Sequence, residues 1–196
     1  MPPTSTFGYD LDGDVRAVEA MSTALVPYVY QDELYGMMPG NMPRLTVGSL
    51  LMRLNRLNQI TELLSPRQQQ IVADSQKRLE AARKEWHVHY IAKIRREFKA
   101  RVDAIEQFLN ECTDNLRGCA ENFPAAMEKR VMIEQMVQEA ESLDESVEDM
   151  QNRLTPLDNA IHRFAEPGTF RWDKRLEHVY PADRYWYLYS TVITKK

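Results

Sequence analysis

Large apolar side chains return every third or fourth residue over most of this chain, the spacing that puts them on one face of an α-helix. The longest run is Ile71, Ser75, Leu79, Ala82, Trp86, Tyr90, Ile94, Phe98, Val102, Ile105, Leu109, Cys112 and Leu116. Ser65, Pro66 and Gln68 open it as N-cap, first helical residue and capping-box partner. No proline or glycine follows until Gly118. The pattern therefore predicts one helix of roughly 50 residues, about 75 Å long at 1.5 Å per residue. A turn is expected around Gly118 to Asn122, with a return helix starting at Asn122 and Pro124. Its apolar positions run Met127, Val131, Ile133, Met136, Ala140, Leu143, Val147, Met150, Leu154, Leu157, Ile161 and Phe164. From Met136 they alternate steps of four and three, which is a heptad seam. Pro156 keeps the seam in phase, and a kink or a fresh helix start at Thr155 is expected there.

Outside this pair the signals are shorter. Residues 1–11 read as a loose leader. A helix starts near Asp12 or Asp14, carries Val15, Val18, Met21, Ala24 and Leu25, and is expected to end at Pro27. Tyr28 to Arg44 mixes turn formers with large side chains and reads as a packed loop. Val47, Leu50, Leu51, Leu54, Leu57, Ile60 and Leu64 predict a further helix. Past Pro167 and Gly168 the composition becomes aromatic, with Phe170, Trp172, Tyr180, Tyr185, Trp186, Tyr187 and Tyr189. Residues 182–194 suit a short helix or a strand equally. The expected fold is all-α, a long antiparallel helical hairpin forming a coiled-coil-like arm on a small helical base with aromatic-rich loops. It divides into a leader and base helices (1–64), the arm (65–166) and an aromatic segment packing on the base (167–196), all within one structural domain.

Charge changes that picture in one place. Charged residues make up 28% of the 196 residues, and the mean hydropathy is −0.53. Much of the chain must then be surface, as a two-helix arm provides. The net charge of −4 offers no general attraction to nucleic acid or anionic membranes. Between Lys77 and Arg101, however, nine basic residues face three acidic ones, and between Glu134 and Asp149 seven acidic residues face no basic one. A fold-back near residue 119 sets Arg95, Arg96, Lys99 and Arg101 close to Glu134, Glu139, Glu141 and Asp144. Exposed pairs of this kind stabilise little, but they select orientation.

Catalytic constellations are missing. Asp10, Asp12, Gly13 and Asp14 begin like a calcium loop, but Val15 and Met21 stand where that loop needs glycine and glutamate. His87 and His89 point to opposite sides of a helix, and His162 and His178 stand alone. Cys112 and Cys119 read as reduced thiols without a nucleophile motif. No phosphate loop, nucleophile elbow or metal-binding helix occurs, so no metal, no cofactor and no enzymatic activity are expected. No stretch approaches the length of a membrane helix, and a cytoplasmic location is expected. The expected function is a non-catalytic helical interaction or assembly protein, an adaptor or scaffold that binds a protein partner or a second copy of itself. Its motive is an apolar face widened by Ile91, Phe108, Met132 and Val137. The alternative is a nucleic-acid-binding subunit using the basic stretch and the C-terminal aromatics. For either, the candidate contacts are Arg83, Lys84, Arg95, Arg96, Arg171, Trp172, Arg175 and Trp186.

Overall fold

The computed structural model describes residues 9–193. Most of the leader expected over residues 1–11, and the last residue of the 182–194 segment, lie outside them. Helices dominate: α1 (Leu11–Tyr30), α2 (Val47–Gln59), α3 (Pro66–Glu85), α4 (His87–Asp114), α5 (Leu116–Ser142) and α6 (Glu148–Phe164). The all-α expectation holds, with one small exception. Strand β1 (Ala165–Pro167) pairs antiparallel with β2 (Ser190–Val192), Glu166 opposite Thr191. The ambiguous C-terminal segment resolves into a 3-10 turn, Trp186–Tyr189, followed by β2.

Local signals and helix ends agree at some points and part at others. Ser65 forms the full capping box with Gln68. Pro27 does not end α1 but sits in its last turns, where the buried Leu25, Tyr28 and Val29 hold the chain helical on both sides. The single long helix is instead two, broken at Trp86, whose backbone leaves helical geometry at φ −120° and ψ 32°. The apolar stripe crosses this break intact. Ser75, Leu79 and Ala82 are buried before it, and Tyr90, Ile94, Phe98, Val102 and Ile105 after it.

The return begins at Asn115, three residues before Gly118. The Asn115 side chain accepts a hydrogen bond from Gly118 N at 2.9 Å, a cap on the first turn of α5. Pro124 lies inside α5 and Pro156 inside α6. The expected break at Thr155 occurs instead between Ser142 and Glu148, where Asp144 takes the left-handed conformation at φ 58°. Glu145 N donates to Ala140 O at 3.0 Å and Asp144 N to Glu141 O at 3.1 Å, the closure that ends helices on a left-handed residue. A proline inside a helix costs about 3 kcal/mol. Burial of Met150, Leu154, Leu157 and Ile161 outweighs it in α6.

The chain divides into two compact units, each with its own core. One comprises residues 10–99 and 134–145. In it α1 packs on both α2 and α3, around Val18, Met21, Leu25, Leu50, Met52, Leu57 and Tyr90. The other comprises Tyr9, 100–133 and 146–193 among the described residues. Its core is Val102, Ile105, Phe123, Val131, Leu157, Ile161, Tyr180 and Tyr187. Here the reduced-thiol expectation is overturned, because Cys112 and Cys119 are joined by a disulfide. The folded-back chain brings their Cα atoms to 4.8 Å.

Candidate interaction surface

In the unit formed by 10–99 and 134–145, the end of α1 is clamped by cations. Lys93, itself buried, donates from Nζ to Gln31 O at 2.5 Å and Glu33 O at 2.6 Å, and lies 4.3 Å above the Tyr28 ring. Arg96 donates to Asp32 O at 2.6 Å. These carbonyls belong to the cap of α1 and the two residues after it, so the cations tie down the chain as it leaves the helix. Burial, then the charge of Arg96, holds the Lys93 ammonium below the usual lysine range. Tyr28 is buried and donates to Leu34 O at 2.7 Å. Gly36 pairs with Leu45, and a Cβ on Gly36 would come 3.0 Å from the Tyr28 ring. The loop after α1 is thus pinned from below.

Tyr30 stands on the other side of that turn, 47% exposed. Its ring meets Trp86 at 4.8 Å edge-on and His89 at 4.8 Å. The indole that meets Tyr30 thus stands at the helix break. Partial desolvation, then the Glu85 carboxylate, raises the Tyr30 hydroxyl above the usual phenol range. Val88, between Trp86 and His89, is 76% exposed. Val26 lies one turn before Tyr30 on α1 and is also exposed. Tyr35, Met37 and Leu63 complete the exposed large apolar residues among those described, and all six belong to this unit.

The same unit carries a polar network, part of it buried. Glu139 accepts from Tyr90 OH at 2.7 Å and from Arg83 at 3.2 and 3.3 Å. Burial, then the Glu139 charge, pushes the Tyr90 hydroxyl well up. Glu145 meets His87 at 2.9 Å and Arg95 at 3.6 Å. Glu97, fully buried, accepts from Gly48 N at 2.9 Å, so a carboxylate on α4 caps the first turn of α2. Asp14 meets Arg53 at 3.1 Å and Arg56 at 3.4 Å. The pairing of the basic and acidic runs expected from the sequence is present in Arg83–Glu139 and Arg95–Glu145, though Arg96 turns to Asp32 O. Sequence reasoning missed the buried Glu97 and Lys93, although one signal existed. Lys93, Glu97 and Arg101 recur every fourth residue, each three after Tyr90, Ile94 and Phe98, so they ride beside the buried stripe.

The eight contacts expected from the sequence fall into both units. Arg83, Lys84, Arg95 and Arg96 belong with the patch. Arg83, Arg95 and Arg96 engage the intramolecular partners given above, and Lys84 is exposed. In the other unit Trp172 stands edge-on to Tyr180 at 5.0 Å and Trp186 stacks on His162 at 3.7 Å. Arg175 pairs with Asp173 at 2.9 Å and donates to Tyr9 O at 3.2 Å. Arg171 is exposed. The seam expected to lie open is not open. Ile91, Met132 and Val137 are buried within the chain and Phe108 is half-buried.

Among the described residues no group of three or more His, Cys, Asp or Glu side chains could hold a metal ion. No described helix is long and apolar enough to cross a membrane. An open cleft of about 670 Å³ lies at the start of α1, lined by Asp10, Arg16, Arg53 and Met42 among others, but its Asp14 and Arg53 face each other. No protein-family model matches this chain, and neither a curated protein nor a solved structure is significantly similar to it.

Proposed function

We propose that this is a non-catalytic helical assembly or adaptor protein that docks a protein partner or a second copy of itself through the face formed by Val26, Tyr30, Trp86, Val88 and His89. The observation carrying the proposal is the concentration of exposed apolar residues in one unit. Their rings are held by a clamped turn, and rigid aromatic groups on a rigid support are what binding hot spots use. The reading keeps the finer architecture, with α4 and α5 as an antiparallel, coiled-coil-like pair, and a cytoplasmic location.

Light scattering during gel filtration, together with pull-down from the native cell, tests it. Wild type is expected to self-associate or retain a partner, and Val88→Asp to lose that association while folding normally. A wild-type monomer that retains nothing would overturn the proposal. The alternative of a nucleic-acid-binding subunit has less support, since Arg83, Arg95, Arg96 and Arg175 already meet acceptors in the chain. Trp172 and Trp186 likewise already pack on other rings. Phosphate contacts predict affinity that falls steeply with salt, so a titration with single-stranded DNA at two salt concentrations separates the two readings.

A further inference from the structure

We propose that Cys112 and Cys119 form a reversible redox latch on the corner between α4 and α5, which a small dithiol opens. The bond joins residues seven apart whose Cα atoms lie 4.8 Å from each other. Seven residues of unbroken helix rise about 10 Å, so the bond holds a reversed chain and not a helical turn. Backbone bonds from Asn115 N to Glu111 O at 3.1 Å and from Cys119 N to Asn115 O at 2.9 Å join the corner to its own two helices. Asn115 is the single residue between the two helices. Its side chain accepts from Gly118 N, and Asn122 donates to Gly118 O, both at 2.9 Å. Arg117, 91% exposed, pairs with Glu121 in the same helix.

Both cysteines are buried, yet they line a cleft of about 120 Å³ with Phe108, Glu111, Asn115, Gly118 and Asn122. The cleft gives a reagent an approach. Its lining holds a carboxylate and no cation, and Cys112 lies in the last turn of α4, where the helix dipole disfavours a thiolate, so only Cys119, in the first turn of α5, is favoured as the leaving group. The pair is therefore a slow latch that follows the ambient dithiol poise, and not the centre of an oxidoreductase. In the opening step one thiolate of the dithiol attacks a cystine sulfur and the other cysteine leaves as thiolate and takes a proton. The second thiol of the reagent then closes on the mixed disulfide, loses its proton and releases the first cysteine as a thiol. Two electrons pass from the dithiol to the cystine, and the reagent leaves as a cyclic disulfide. The inference is independent of the docking face.

The full chain is oxidised with oxidised glutathione or reduced with dithiothreitol, desalted, and digested briefly with trypsin. Mass spectrometry follows cleavage after Arg117. The reduced form is expected to be cut about tenfold faster or more, since the bond suppresses local opening. Maleimide should add to neither cysteine in the oxidised form and to both in the reduced one, and reoxidation should restore slow cleavage. Two adducts on the oxidised protein, or equal cleavage rates in the two states, would overturn the proposal. Cys112→Ser/Cys119→Ser should be cut at the fast rate after either treatment, and a remaining response to dithiothreitol in that variant would also overturn it. Should the variant fail to fold, the wild-type comparison decides alone.

Discussion

Removing one member of the Arg130–Asp158 pair should cost more than removing the other. Arg130 Nε meets Asp158 Oδ1 at 2.8 Å and Nη2 meets Oδ2 at 2.9 Å. The arginine side chain is 5% exposed and the aspartate 25%. Asp158→Ala leaves a guanidinium in the interior without that carboxylate, a loss that costs roughly 3–5 kcal/mol for buried pairs. The Tyr187 ring remains 5.0 Å from the guanidinium and offsets about 1 kcal/mol. The expected cost is therefore roughly 2–4 kcal/mol. Arg130→Met keeps an apolar stem and leaves a carboxylate that can turn to water, so roughly 1–2 kcal/mol is expected. Arg130→Met/Asp158→Leu removes both charges and should fall within about 1 kcal/mol of wild type. Urea denaturation followed by tryptophan fluorescence measures all four proteins, and Trp172 and Trp186 lie in the same compact unit as the pair. Equal costs for the two single variants, or single costs that simply add in the double variant, would refute the reasoning.

Four further outcomes are expected. Asp144→Gly, at φ 58°, should stabilise the protein by up to about 1 kcal/mol, because glycine adopts the left-handed region without steric cost; thermal denaturation reads this. The Arg175 side chain, then backbone N–H donors of Arg175 and Tyr9, hold the Asp173 carboxyl far below the usual range. A carboxyl with a depressed folded-state pKa adds stability above its unfolded value of about 3.9 that is lost as pH falls further. Asp173→Asn should thus be less stable than wild type at pH 7, with the gap closing below about pH 4 in acid melts. Val88→Asp is expected to abolish association while leaving the melting temperature within about 1 °C, since the residue is exposed. Reduction of the Cys112–Cys119 bond should lower stability by about 2–3 kcal/mol, the loop-entropy value for a closure of this length.

What the sequence by itself determined is the helical character of the chain and the face each helix buries. Periodicity and short-range chemistry both act within a turn or two. Ser65, Pro66 and Gln68 specify a helix start that needs nothing distant, and the stripe from Ser75 to Cys112 is buried as its spacing requires, except at the half-buried Trp86. Tertiary structure decided where that stripe breaks and which charges are buried. Trp86 interrupts the helix without a local breaker, and its ring finds Tyr30, 56 positions earlier in the chain. Pro27, Pro124 and Pro156 stay inside helices because packing on both sides outweighs the lost hydrogen bond. Glu97 on the sequence alone is one more charge on a polar helix, and only the approach of α2 makes it a cap. The docking face draws on both. Val88 lies off the buried stripe, two residues from both Trp86 and Tyr90, so spacing already turns it outward, but only the fold brings Tyr30 to Trp86 and His89.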